Sequence, residues 1–258
     1  MNERYPIIFC GAGPGDPELI TVKGMKALQT ADVVLYAGSL VPEAVLTWAP
    51  EGVERISSAT LDLHEIVSRM ANAYEKGLKV VRLHTGDPSL YGAIREQMEA
   101  LRARMIPYSV IPGVTAAFAA AATMCLEYTV PEVTQTLILT RMAGRTPVPE
   151  AEKLQSLARH GASMAIYLSM GQIETVAEVL SQAYGLDSPC AIAYRASQPE
   201  EKIIYTTARE LAAAARADGI DRTAIILAGP ALSDVSAIEP IRSKLYDRTF
   251  SHGYRTGK

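Results

Sequence analysis

Along the first half of the chain, short apolar runs alternate with longer stretches whose apolar residues recur every three or four positions. YPIIFC (5–10), VVLYA (33–37), KVVRLH (79–84) and YSVIP (108–112) are rich in Val, Ile, Leu and Tyr and are bounded by Gly or Pro. That is the pattern of buried strands. In TVKGMKALQTA (21–31) the apolar positions 22, 25 and 28 have helical spacing. DLHEIVSRMANAYEKG (62–77) predicts a helix capped by Asp62 and stopped at Gly77. SLYGAIREQMEALRAR predicts a helix starting at Ser89, just after a proline, with Tyr91 in its first turn. TAAFAAAATMCL (115–126) is rich in Ala and can pack close to a neighbour. Strands alternating with helices in this way point to an α/β fold with a mostly parallel sheet.

The second half has strands closer together. QTLILTR (135–141) is followed by the polar loop MAGRTPVPEAEK, then SMAIYLS (163–169), a helix after Gly171, PCAIAYRAS (189–197), EKIIYTT (201–207), a helix and TAIILAG (223–229). AIAYRASQPEEKIIYTT reads as a hairpin-like pair, so this sheet should be mixed. Thr207-x-x-Glu210 has the spacing of a capping box before LAAAARA. LEYTVPEVT (126–134) breaks periodicity with a proline. The expected division is therefore an N-terminal α/β domain over 1–128, a C-terminal α/β domain over 129–232, and a polar, weakly patterned tail over 233–258.

The chain has 258 residues, 48% hydrophobic, enough for two small cores. A net charge of −3 argues against a broad basic surface for nucleic acid. No apolar run approaches the roughly 20 residues of a membrane span, and the first residues lack a signal-peptide pattern. The three cysteines form no CxxC pair, which fits a reducing cytoplasm. The four histidines form no HxxxH or HxH pair, so no metal site is expected.

The candidate chemistry lies in the turns after the strands. Gly11-Ala-Gly13-Pro14-Gly15-Asp16-Pro17 approximates the dinucleotide fingerprint G-x-G-x-x-G, but the third glycine comes one residue early. Pro14 and Pro17 have no N–H for a pyrophosphate, and Asp16 adds a negative charge. This counts against a nucleotide-binding regulatory module. Five such turns follow predicted strands: GAGPGDP, HTGDP, IPGVTAA, LSMGQ and LAGPA. Ligands of open α/β sheets bind beyond the carboxyl ends of strands. Clustered there, these turns suit a ligand that is not a polyanion and that is gripped through main-chain atoms.

GAGPGDPELITVKG, ADVVLYAGSLV, VVRLHTGDPSLYGAIREQM, IPGVTAAFAAAA, LTRMAGRTPVPE, ASQPEEKI and TAIILAG, in this order, resemble the tetrapyrrole (corrin/porphyrin) methyltransferase family over about residues 5–230. HTGDPSLYGAI and LTRMAGRTPVPE point to the branch that methylates ring carbon C11; a sibling acting at another ring position is the nearest alternative. The resemblance implies two α/β domains, a homodimer, and S-adenosylmethionine held in a folded shape in a cleft between the domains. It further implies that Gly86 and Asp87 lie along the methionine part of that cofactor, with Tyr91 in the same loop. Thr115 and Ala116 match a second cofactor loop, and Met170 a position packing on the cofactor. Ala193 with Tyr194, and Ala228 with Gly229, match main-chain contacts to adenine. Pro14 belongs to the first loop, at the border of cofactor and substrate.

Asp87 is the catalytic candidate. It reads either as an Asx-type turn holding its loop or as a carboxylate meeting the cofactor ammonium. His84 reads as structural. An acidic tetrapyrrole needs cations, and arginine pairs carboxylates in a fork. Arg141, Arg145 and Arg195 are the substrate candidates, with Lys202 behind them.

Overall fold

The computed structural model describes residues 5–38, 40–233, 243 and 246–257. The chain divides into two compact units, Met1–Ala119 with Arg195–Glu201, and Ala120–Tyr194 with Lys202–Lys258.

The first unit is built on a five-stranded sheet of β1 (Ile7–Gly11), β2 (Val33–Tyr36), β3 (Glu54–Ser57), β4 (Val80–His84) and β5 (Tyr108–Ile111). The strand order is β3-β2-β4-β1-β5 and every pairing is parallel. The helices are α1 (Val22–Gln29), α2 (Glu43–Leu46), α3 (Leu63–Glu75), α4 (Ile94–Ala103) and α5 (Ala116–Thr123), the last spanning the division point. Alternate strand residues feed two cores, as the two-residue period of a strand requires. Ile7, Phe9, Val33, Leu35 and Val80 pack with Val67 and Met70 of α3 and Leu101 of α4. Cys10, Val34, Val81 and Leu83 pack on the other face with Leu28 of α1 and Val45 and Leu46 of α2.

Asp62 caps α3 as expected: its Oδ1 accepts the Glu65 N–H at 2.8 Å, and its own N–H donates to Glu65 Oε2 at 2.9 Å. Three local expectations are corrected. β3 and α2 were not foreseen, because ERIS carries a single apolar residue on an edge strand and α2 is only one turn long. α4 begins at Ile94 rather than Ser89. A Cβ on Gly92 would stand 2.3 Å from the Pro88 carbonyl oxygen, and Tyr91 and Ala93 have φ of 57° and 49°, so the chain turns tightly ahead of the helix through two left-handed residues. Tyr91 therefore lies ahead of the helix.

The second unit carries β6 (Leu137–Arg141), β7 (Ser163–Tyr167), β8 (Pro189–Tyr194), β9 (Lys202–Thr207) and β10 (Ala224–Ala228) in the order β6-β7-β10-β8-β9. Only β6–β7 is parallel, so the sheet is mixed, and β8–β9 is the anticipated hairpin. Met164, Ile166, Ile192 and Ile226 pack with Leu154 of α6 (Leu154–Ala158), Val176 and Leu180 of α7 (Ile173–Tyr184), and Leu211 of α8 (Leu211–Ala217). The third correction is the second capping box. Thr207 is committed to β9 opposite Pro189, and α8 is preceded by Glu210 with no side-chain cap bond. Part of the polar tail, residues 234–242, 244–245 and 258, lies outside the described residues.

Candidate functional site

β1 and β4 are neighbours, with Gly11 in register with His84. β1 leads to α1 on one face of the sheet, whereas β4 leads to α4 on the opposite face. Chain leaving adjacent strands in opposite directions opens a crevice at their carboxyl ends, the topological switch point where ligands bind. Both Gly-Asp-Pro turns sit there. Gly13 and Gly86 form an antiparallel bridge, Gly13 N–H to Gly86 O at 3.3 Å and Gly86 N–H to Gly13 O at 2.8 Å. The loop after β5 closes on them. A Cβ on Gly113 would lie 2.1 Å from Gly86 O and 2.9 Å from Gly11 Cα, so only glycine fits.

The two aspartates share one local device. Asp16 Oδ1 accepts the Glu18 N–H and Asp87 Oδ1 accepts the Ser89 N–H, both at 2.8 Å, each two residues on in an Asx turn. Asp87 does more. Its Oδ1 also accepts the Ser89 hydroxyl, and its Oδ2 accepts the Gly113 N–H at 2.9 Å. Partial burial pulls its pKa up, but the bonds from the Ser89 hydroxyl, the Gly113 amide and the Ser89 amide outweigh that. The carboxyl is held below its ordinary range. Asp87 thus staples the β4 turn to the β5 turn and is anionic at neutral pH.

The amide inventory decides what the crevice can hold. The N–H groups of Gly13, Gly86 and Gly113 are all engaged within the protein, and that of Asp16 goes to Ser197 Oγ at 3.0 Å. Pro14, Pro17, Pro88 and Pro112 have none to offer. A pyrophosphate would find these amides already engaged and an anionic carboxylate beside them. A zwitterion with an ammonium group would find Asp87 and carbonyl oxygens with a lone pair each to spare.

The other first-unit candidates lie in the segments that follow β1, β4 and β5. Pro14 is buried, Gly86 is half-buried, and Tyr91 is 43% exposed. Thr115 is buried at the start of α5, where its carbonyl accepts the Phe118 and Ala119 amides, and Ala116 follows. His84 is buried and stacked 6.0 Å from Phe9; its Nε2 has no hydrogen-bond partner among the described residues. Burial, then the Arg82 charge, pushes its pKa down to about 3, so the ring is neutral. Arg82 is itself buried, bonding Gln97 Oε1 at 3.1 Å and Leu35 O at 3.3 Å, and burial lowers its pKa to about 10.

In the second unit, Met170 is buried in a short 3₁₀ turn (Met170–Gln172) directly after β7. Ser169 fixes that turn, donating to Tyr167 O at 2.6 Å and accepting the Met142 N–H at 2.9 Å. Ala193 is buried near the end of β8 and Tyr194 is half-buried beside it. The β8–β10 register sets Tyr194 opposite Ala224 and Ala228 opposite Cys190, so Ala228 and Gly229 lie at the other end of that ladder. The Arg141 guanidinium grips its own loop, donating to the carbonyls of Met142 at 3.0 Å, Thr146 at 3.2 Å and Pro147 at 2.9 Å. Arg145 is carried, exposed, on the loop so shaped. Arg195 pairs with Glu200 at 3.3 Å, and Lys202 pairs with Asp218. Ser197 and Gln198, absent from the sequence-based candidates, reach the first Gly-Asp-Pro loop. Their only sequence signal is the polar ASQPEE tip between two strands. Among the described residues no cluster of three metal-ligating side chains occurs, and no helix is long and apolar enough to cross a membrane.

A doubly wound sheet with glycine-locked turns at its switch point defines an α/β protein of the kind that binds a ligand beyond its strand ends. The chain belongs to the Tetrapyrrole (Corrin/Porphyrin) Methylases, whose family profile matches residues 6–212. It is 47% identical to the cobalt-precorrin-4 C(11)-methyltransferase of Methanocaldococcus jannaschii, over 99% of this chain and 98% of that protein. It is 46% identical to the precorrin-4 C(11)-methyltransferase of Pseudomonas aeruginosa, over 98% and 99%. Among solved structures, a cobalamin biosynthetic enzyme, cobalt precorrin-4 methyltransferase, superposes with a TM-score of 0.86 at 48% identity, over 88% of this chain and 96% of that one. Thermus thermophilus uroporphyrin-III C-methyltransferase, complexed with S-adenosyl homocysteine, gives 0.72 at 27% identity, over 91% and 100%.

Proposed function

We propose that this protein transfers the methyl group of S-adenosylmethionine to C11 of precorrin-4 or cobalt-precorrin-4, a step of cobalamin biosynthesis. The observation that carries this reading is Asp87, held anionic at the β1–β4 switch point beside the engaged amides of Gly13, Gly86 and Gly113, an arrangement that favours a cationic ligand over a phosphate. Near-full-length identity to enzymes of that name supports the position of methylation.

S-adenosylmethionine supplies an electrophilic methyl on a sulfonium, and its thioether leaves uncharged, so no acid is needed. The protein's work is alignment and exclusion of water. Gly86, Asp87, Tyr91, Thr115 and Ala116 serve the cofactor, and Pro14 stands where cofactor and substrate meet; Met170, Ala193, Tyr194, Ala228 and Gly229 are further cofactor candidates on the family resemblance. A carboxylate held below its usual range is a poor proton acceptor, so Asp87 acts through its charge, facing the ammonium group. Arg145 and Arg195 take substrate carboxylates, and Arg141 shapes the loop that presents Arg145. The free cysteines Cys10, Cys125 and Cys190 suit a reducing cytoplasm, and the family resemblance supports a homodimer.

Equilibrium dialysis against S-adenosylmethionine, S-adenosylhomocysteine and NAD tests the ligand class; retention of NAD alone would refute it. Mass spectrometry and NMR of the product from metal-free and cobalt-loaded substrate then test the position. Methylation at another ring carbon would reassign the branch.

A further inference from the structure

The first Gly-Asp-Pro turn is clasped from a point far along the chain. Arg195–Glu201, the link between β8 and β9, groups with the first unit. Ser197 Oγ accepts the Asp16 N–H at 3.0 Å, across 181 positions of sequence. Gln198 Nε2 donates to Pro14 O at 3.4 Å. The Gln198 side chain lies so close over Gly15 that a Cβ there would stand 2.2 Å from its Cγ. Pro14 and Gly15 are consequently buried.

The tip that makes these contacts is itself rigid. The Ser197 N–H donates to Glu201 Oε2 at 2.5 Å, the Gln198 N–H to Arg195 O at 2.9 Å and the Glu201 N–H to Gln198 O at 2.9 Å. Arg195 and Ser197 hold φ of 45° and 65°, left-handed values that cost energy in residues other than glycine. Such conformations persist where the surroundings over-determine them, and they cluster at ligand clamps. Arg195 stands on the same tip, half-buried, its guanidinium held by Glu200 at 3.3 Å. A partly exposed pair of this kind is weak, so a ligand carboxylate can replace Glu200 at little cost.

Resting on the function proposed above, we infer that Ser197 and Gln198 are positioning residues for the acidic tetrapyrrole. They lock the Pro14–Asp16 turn at the mouth of the crevice and hold Arg195 in register with it as a carboxylate partner. The effect is selective for substrate, because a guanidinium draws carboxylates and repels a sulfonium or an ammonium group.

Three variants of the full-length protein test this: Ser197→Ala, Gln198→Met and Arg195→Gln. Ser197→Ala removes the acceptor for Asp16. Gln198→Met keeps the cover over Gly15 but removes the bond to Pro14. Each should raise KM for the tetrapyrrole, by roughly two- to tenfold per lost bond, with kcat and the dissociation constant for S-adenosylmethionine within twofold of wild type. Hydrogen exchange gives a readout independent of turnover: the Asp16 amide should lose protection in Ser197→Ala and retain it in Arg195→Gln. Unchanged KM in all three, or equal losses of substrate and S-adenosylmethionine affinity, would overturn the inference. A wild-type protein that methylates no tetrapyrrole would instead refute the proposed function, while the Asp16 exchange would still report on the clasp.

Discussion

Replacing Asp87 by Asn tests the staple at the centre of the crevice. The carboxylate accepts three hydrogen bonds, two from Ser89 and one from Gly113. In Asp87→Asn the amide oxygen can still serve Ser89, but the NH₂ group then faces the Gly113 N–H, donor against donor. An unsatisfied, partly buried N–H costs about 1–3 kcal/mol. The Ser89 bonds also lose their charge assistance, which roughly halves their strength. The sum is about 2–3 kcal/mol, or a fall in Tm of roughly 4–12 °C for a chain of this size. Ser89→Ala keeps both the charge and the Gly113 bond, so its fall should be clearly smaller. The lost charge should also weaken S-adenosylmethionine about tenfold, read by calorimetry. A second signature lies in the pH profile. The folded pKa of Asp87 is depressed, so its contribution is full above the unfolded value of about 3.9 and is lost as pH falls through the lower folded value. The gap in Tm between wild type and Asp87→Asn should therefore close only below about pH 4. If Asp87→Asn matched wild type in both Tm and cofactor affinity, the staple and the electrostatic role would both be wrong.

His84 carries the opposite protonic character. Its folded pKa of about 3 lies below the unfolded 6.5, so the unfolded chain takes up the proton first. Stability is therefore full above about pH 6.5 and falls toward pH 3 by roughly 1.4 kcal/mol per pH unit. Unfolding midpoints of His84→Phe should show a flatter slope between pH 6.5 and 4; an unchanged slope would assign the acid sensitivity elsewhere. Gly113→Ala forces a Cβ against backbone atoms that cannot rotate away and should cost about 3 kcal/mol or more. Gly171→Ala, with nothing within 4 Å of its added Cβ, should be nearly neutral in the same denaturant titration.

β1, β2 and β4 were legible because each is a largely apolar run buried on both faces, and α3 because Asp62 and Glu65 are three residues apart and cap it with no outside help. β3 was not, since an edge strand exposed over Glu54 and Arg55 has no apolar signature. The start of α4 was misplaced because the left-handed turn at Tyr91 is enforced by the Gly92–Pro88 approach, which helical periodicity does not register. Arg141 was named as a cation for the substrate, and its donors go to its own loop, a choice that depends on how residues 142–147 curl.

The sequence by itself determined the elements whose causes are local: two-residue alternation, helical spacing, and Asx turns closing on an amide two positions away. It also disclosed that the first loop has too few amides for a pyrophosphate, because proline's missing N–H is a covalent fact. Only the tertiary structure decided that both Gly-Asp-Pro turns meet at one switch point, that the amides of Gly13, Gly86 and Gly113 there are already paired, and that Ser197 and Gln198 close over the first turn. Those contacts join residues from 26 to 184 positions apart, and their partners are chosen by the order in which strands pack, which no window of neighbouring residues encodes.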